Sequence, residues 1–456
     1  MKKKIIINLS FAAILLSSVT SCAPEYKDAF INGVNIDQYC IVYSETDFDY
    51  SYHAAQYLQT QFKTYTGVDV EIVEDSLPVA KDYEIVIGNT NREISTLTNI
   101  ELNGLEFAFN VSDNQIALKS NYFAISAAAY YLFNEFNTND WNIALTNGVS
   151  KHEPIVKDAK NFILLIGDGM GVNHTKLLQS QLYDINFSDD ETIFYGQMLP
   201  YQGYARTDSL SGTTDSAAAG TALSAGTKTE NGKVGLDRNG REVKLITELM
   251  LEHNKSAGVM STEVSTGATP SAFSAHALDR DLTEEITNDQ QRFIERGGVI
   301  NCNFDFYGKQ GIEQIEEKVL DTLDLLDNNE NGFFLMYEEA HIDKHSHNND
   351  LLNTTYAVAR FNQVIARFME YCFYNPDTFL LITADHETGG LKPYDEDFYI
   401  FSTGSHTSAN VPVYAYGDGG QLFNRRSIEN IQIALTIASF IGVTDFGNQT
   451  AYQYLK

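Results

Sequence analysis

Apolar and polar positions change rhythm twice along the 456-residue chain. Over 39–150, short apolar runs are mixed with stretches at helical spacing. Residues 40–43, 68–73 and 83–87 read as strands, the last ending at Gly88 and Asn89, while 52–65 predicts a helix that stops at Gly67. Residues 105–111 and 115–118 flank Ser112-Asp113-Asn114, a hairpin signal, and 122–136 predicts a helix rich in Ala and aromatic side chains. The order β-α-β-β-β-β-α predicts a small α/β sandwich. A polar joint over 151–160 follows. From Asn161 the rhythm changes again. Strands apolar throughout, over 162–166, 258–261, 333–337 and 379–383, alternate with helical stretches. This is the signature of a mostly parallel sheet with helices on both faces, in which ligands sit at the carboxyl ends of the strands.

The first residues belong to neither pattern. Lys2, Lys3 and Lys4 precede an apolar run over 5–16 that is too short to span a bilayer. Val19-Thr20-Ser21-Cys22 follows and resembles a bacterial lipobox. That resemblance implies a signal peptide over 1–22, lipidation of Cys22, a tether over 23–38 and a membrane-anchored place in the cell envelope, periplasmic or on the outer-membrane surface. Ordinary secretory cleavage near the same place is the alternative. Cys40, Cys302 and Cys372 are odd in number and far apart, so they imply no disulfide framework and read as small buried hydrophobes.

Charge narrows the function. Against 61 Asp and Glu stand 31 Lys and Arg, a formal net charge of −30. Nucleic-acid binding, which relies on Lys and Arg neutralising phosphates, is excluded. An anionic substrate would need strong local positive charge, for which metal ions are the usual source.

The candidate chemistry clusters after the buried strands. Asp168 tips the strand Phe162-Ile163-Leu164-Leu165-Ile166, inside Gly167-Asp168-Gly169. Ser216 opens the Ala-rich run Ser216-Ala217-Ala218-Ala219, where helix N–H groups favour an anion; a plain N-cap is the bland reading. Glu338, Asp343 and His347 follow the strand over 333–337. The spacing of four puts Asp343 and His347 on one face of a helical turn, as a metal requires. Asp385 and His386 end the strand over 379–383, and His406 follows Thr403-Gly404-Ser405. Carboxylates and imidazoles recurring in this way suit zinc.

From about Asn161 to the C-terminus these segments resemble the alkaline phosphatase family in order and spacing, helped by Ala268-Thr269-Pro270 and Ala275-His276. The expected fold class is therefore α/β. An alkaline-phosphatase-like, mostly parallel sheet sandwiched by helices would occupy 161–456. The small domain over 39–150 would precede it, itself similar in element order, and in Ile85-Val86-Ile87-Gly88-Asn89, to domains that precede the barrel of several glycoside hydrolases.

The family resemblance implies two Zn2+ and one Mg2+. Asp343, His347 and His406 would hold the first zinc, and Asp385 and His386, with the Ser216 oxygen, the second. Asp168 would bridge the second zinc and the magnesium, which Thr269 and Glu338 complete. Arg280 would bind the substrate phosphate, and the reaction would be hydrolysis of small phosphomonoesters through a phosphoserine on Ser216. One departure is visible: the family often carries an acid or a His at the position of Gly267, paired with the residue at Lys344. With no carboxylate at 267, Lys344 is expected to face the bound phosphate. His341 and His345 map onto no family role and are expected at the surface or behind the ligands.

Rival readings within the fold are weaker. A sulfatase would need a Cys- or Ser-x-Pro-x-Arg motif, which is absent, and related phosphodiesterases usually use Thr in place of Ser216. A glycan contact through 39–150 and a homodimer stay open, as does a chiefly glycan-binding surface lipoprotein.

Overall fold

The Asn161–Gly167 strand is buried along its whole length. It pairs in parallel with Phe333–Glu339 on one side and Thr378–Thr383 on the other, both also fully buried. The structure is a computed structural model describing residues 25–46, 48–78, 81–96, 100–180, 192–304, 309–395 and 398–447. The leader and Cys22 lie outside the described residues. The described residues form two compact units: those of Lys157–Arg367 and from Asp377 on, and those up to Val156 with Phe368–Pro376.

The larger unit holds an eight-stranded sheet in the order Val299–Cys302, Ser256–Ser261, Phe333–Glu339, Asn161–Gly167, Thr378–Thr383, Val411–Tyr416, Tyr201–Arg206, Ser427–Glu429. Only Val411–Tyr416 runs against the rest. That reversal matters. An antiparallel strand begins where its neighbours end, so His406, shortly before it, arrives at the same edge as residues that follow the parallel strands. Register completes the alignment: Glu338 lies opposite Ile166 on one side and Ser261 on the other.

The smaller unit holds six strands in the order Ile72–Glu74, Tyr39–Tyr43, Tyr83–Ile87, Gln115–Ser120, Phe107–Val111, Gly148–His152. Helices Phe48–Thr66 and Ile125–Thr138 pack on it and on each other, with Phe62 and Phe136 edge to face, 5.3 Å between ring centres. Three expectations change here. Within the tether expected over 23–38, Phe30–Ile31 pairs with Val34–Asn35 and with Asn142–Ile143, and Ala29, Ile31 and Ile36 are buried, so this stretch is part of the smaller unit. The strand read over 68–73 pairs only over Ile72–Glu74. The joint expected over 151–160 begins later, because Gly148–His152 is an edge strand. Its side chains are mostly exposed, so it carries no apolar signal. No helix among the described residues is long and apolar enough to cross a membrane.

One turn sets how closely the site can close. Gly169 has φ +73°, and a Cβ there would stand 2.9 Å from the Asp343 Cα and Cβ and from Thr388 Oγ1. Gly169→Ala is expected to cost about 1–2 kcal/mol from the left-handed backbone alone, and to push Asp343 outward. Denaturant unfolding checks this; an unchanged midpoint would show that the turn relaxes freely.

Candidate active site

The edge gathers side chains from separate segments. Asp168 follows the central strand, and Glu338 is the last residue but one of its neighbour. Asp343 and His347 lie on the short helix His341–His347. Asp385 and His386 follow Thr378–Thr383, and Ser216 starts the helix Ser216–Ala225. Thr269 lies on Ala268–Ala272.

Asp343, His347 and His406 form a first donor cluster. The Asp343 carboxylate lies 3.3 Å from His347 Nε2 and 3.5 Å from His406 Nε2. Each ring sets its Nδ1 against a backbone carbonyl, His347 on Gly404 O at 2.8 Å and His406 on Thr214 O at 2.9 Å. Each Nδ1 thus carries a proton, and the lone pairs of neutral rings fall on the Nε2 atoms. Those two atoms face each other 3.1 Å apart beside the carboxylate. Facing lone pairs repel unless something positive lies between them, so the donor set fits a divalent cation.

Asp168, Asp343 and His386 form a second cluster, fully buried, with Asp343 common to both. Asp385 adds its Oδ2, 3.2 Å from His386 Nε2. Ser216 Oγ hydrogen-bonds to that same nitrogen at 3.1 Å. Thr388 organises the set. Its hydroxyl donates to Asp343 Oδ1, so it accepts from His386 Nδ1 at 3.2 Å, and His386 Nε2 is left as an acceptor aimed at Ser216, Asp168 and Asp385. Asp168 Oδ1, Asp385 Oδ2 and Glu338 Oε1 are buried without hydrogen-bond partners. Thr269 Oγ1 also lacks a partner of normal geometry, although it neighbours the Glu338 carboxylate. Burial, then the charge of Asp385, pushes the Asp168 carboxyl well above the usual carboxylate range. Burial, then Glu263, does the same to Glu338. Unpaired buried oxygens are costly, and a bound cation is the usual resolution.

Arg280 and Ser216 are linked through Asp215. One Asp215 oxygen caps the serine's helix by accepting from Ala218 N–H at 3.0 Å. The other accepts from Gly232 N–H at 2.9 Å and lies 3.5 Å from Arg280 Nη1. The Arg280 N–H donates to Gly232 O at 2.8 Å.

Lys344 corrects an expectation. Its ammonium does not stand free of carboxylates: Glu263 Oε2 holds it at 2.9 Å. Burial pulls the Lys344 ammonium down, but the charge and hydrogen bond of Glu263, together with the charges of Glu338 and Asp168, outweigh it, and its pKa rises. His341 is buried, with Nδ1 3.2 Å from Thr262 Oγ1, and so lies behind the ligands. Cys302 is only half-buried, next to Glu338 and Glu263, unlike the buried Cys40 and Cys372. The sequence reading missed Glu263 and Thr388. Thr388 had a signal, since it directly extends Asp385-His386-Glu387; Glu263 had none beyond its place after the strand Ser256–Ser261.

Fold and edge together define an α/β protein that gathers cation donors beside a serine at the carboxyl end of a mostly parallel sheet. The chain belongs to the alkaline phosphatase family, whose model matches residues 159–302 and 301–402, more than half of it. It is similar to alkaline phosphatase 4 of Bacillus subtilis, 26% identical over 292 residues, and to alkaline phosphatase 3 of the same organism, 29% identical over 289. These matches cover 51% and 52% of this chain and 62% of each relative, so less than two thirds of either relative is spanned. Among solved structures, the alkaline phosphatase of the Antarctic bacterium TAB5 aligns with TM-score 0.55 and 26% identity, covering 63% of this chain and 99% of that one.

Thr388→Val removes the hydroxyl that orients both Asp343 and His386. Affinity for divalent cations is expected to fall roughly 10- to 100-fold. Metal titration of the purified chain reads this, and wild-type affinity would show that Thr388 only fills space.

Proposed function

We propose that this chain is an alkaline phosphatase, a phosphoric monoester hydrolase that works through a phosphoserine on Ser216. The observation that carries the reading is the Ser216 hydroxyl, 3.1 Å from His386 Nε2, inside a ring of cation donors and linked through Asp215 to Arg280. The donor types support two zinc ions and one magnesium. Asp343, His347 and His406 would hold the first zinc. Asp385 and His386, with the Ser216 oxygen, would hold the second, Asp168 lying between it and a magnesium held by Thr269 and Glu338. When bound, the zinc pair supplies Lewis acidity that ionises the serine hydroxyl and stabilises the departing oxygen.

The chain's own residues do the rest. Ser216 Oγ attacks phosphorus in line, so the O–P bond to serine forms as the bond to the leaving alcohol breaks and that alcohol takes up a proton. Water then displaces the serine oxygen, releasing inorganic phosphate and restoring the hydroxyl. Arg280 binds two phosphate oxygens with its planar fork, held in place by Asp215. The start of the serine helix directs backbone N–H groups toward the same anion. His347 is exposed and His406 partly so, whereas Asp168 and His386 are buried, so solvent and leaving group meet the first cluster.

Small phosphomonoesters fit a site recessed at a sheet edge. The lipidated Cys22, the resulting place in the envelope, a glycan contact through 39–150 and a homodimer belong to the same proposal. The leader supports the anchor, and the element order of 39–150 supports the glycan contact.

Ser216→Ala is expected to lower monoester turnover on the order of 10³-fold or more, yet retain about two zinc and one magnesium per chain. Near-normal turnover would remove Ser216 from the reaction. Arg280→Ala is expected to weaken inhibition by phosphate by about 1.5–3 kcal/mol. Arg280→Lys should recover only part, because one ammonium cannot reproduce the fork. Phosphate inhibition constants decide, and no change in either variant would place Arg280 elsewhere.

A further inference from the structure

Gly267 caps the short helix that carries Thr269, and the space in front of it is filled. A Cβ on Gly267 would lie 2.0 Å from Glu263 Oε1, 2.3 Å from its Cδ and 2.8 Å from its Cγ. The Glu263 carboxylate therefore occupies the volume that a side chain at 267 would take. Its backbone is pinned on both sides: its N–H donates to Ser261 Oγ at 3.0 Å, and Asn303 N–H donates to its carbonyl at 2.6 Å. The Ser261 hydroxyl in turn donates to Glu338 Oε2. Glu263 Oε2 is taken by Lys344, which leaves Oε1, the oxygen nearest Gly267, outside that ion pair.

We propose that Glu263 is the acidic partner of the third cation site, delivering from four residues upstream the carboxylate that position 267 lacks, and that it makes this site selective for a hard divalent cation such as Mg2+. The inference rests on the phosphatase reading. Two independent features point to a ligand. Glu338 Oε1, on a completely buried side chain, and Asp168 Oδ1 lack partners, and the buried Thr269 hydroxyl sits beside the Glu338 carboxylate. One ammonium, Lys344, faces three carboxylates, those of Asp168, Glu338 and Glu263. The donors are all oxygens, which suits Mg2+ and disfavours zinc beside the imidazole clusters. Glu263 acts as a positioning residue: it holds Lys344 and adds negative charge beside the cation.

The test is Mg2+ titration of the zinc-loaded protein by calorimetry, with metal content measured after dialysis. Glu263→Gln keeps the shape and removes the charge, and is expected to weaken Mg2+ binding roughly 10- to 100-fold while both zincs remain. Gly267→Asp alone should not tighten binding, because the space is taken. Glu263→Ala combined with Gly267→Asp returns a carboxylate to the same volume and should recover at least about tenfold of the loss, which a merely structural role of Glu263 would not allow. Wild-type Mg2+ affinity in Glu263→Gln would overturn the proposal, as would a folded double variant with no recovery. If the double variant does not fold, Glu263→Gln decides alone. A wild-type chain that takes up two zincs and no third cation would overturn the proposal while leaving the serine chemistry standing; one that binds no zinc would overturn the phosphatase reading itself.

Discussion

Carboxylates buried at one sheet edge are the constraint on which this structure depends. Two neighbours on a single strand show both ways of meeting it. Glu338 and Glu339 are each fully buried and, as successive strand residues, point to opposite faces. Burial opposes ionisation of Glu339, but Arg360, hydrogen-bonded to both its oxygens, and then His341 outweigh it, and its carboxyl falls to about 2. Glu338 has no such hydrogen-bonded cation among the described residues, and burial pushes it up instead. The face on which the chain supplies its own counter-charge is scaffold. The opposite face, where it does not, is the site.

That asymmetry bears on how so acidic a protein would handle the anionic substrate proposed for it. The formal charge of −30 is a liability only where no cation intervenes. Of the cationic side chains named at the edge, Arg280 and Lys344 are each tied to a carboxylate, Asp215 and Glu263. Neither is a free positive charge. On the proposed function, the attraction for phosphate would come from bound cations, with the arginine contributing shape and hydrogen bonds.

The parallel strands were legible because both their faces are covered, which forces a continuous apolar run. Their tips were legible because a polar residue directly after such a run has few other roles. Asp168, Glu338, Asp385 and His386 were read this way, and Asp343 by its spacing of four from His347. What escaped has physical reasons. Gly148–His152 is an edge strand with exposed side chains, so no pattern marks it. Tyr201–Arg206 alternates buried with exposed positions and lies beside the reversed strand Val411–Tyr416, a topology that periodicity does not encode. The grouping of Phe368–Pro376 with the smaller unit was hidden because Leu351–Tyr374 is one unbroken helix. Inside the smaller unit, Glu370 meets His53 at 3.3 Å and Tyr57 stacks on Tyr374, contacts made across long sequence separations. Glu263 escaped because a loop, not a period, brings its carboxylate to Gly267.

Ser216, Thr269 and Arg280 also share a scaffold that the motifs alone do not reveal. Ala217, Val234, Ala268, Ala272, Ala275, Ala277 and Ile286 form one buried cluster. Ala217 follows Ser216, Ala268 precedes Thr269, and Ala277 pairs with Val234 in the segment that leads to Arg280. Small side chains bring these backbones close, and closely packed interiors transmit displacement rather than absorb it. The alanine richness around Ser216 therefore has a purpose beyond helix propensity. It ties three parts of the edge, drawn from distant stretches of sequence, to one small core, so a change in volume there shifts Ser216, Thr269 and Arg280 together.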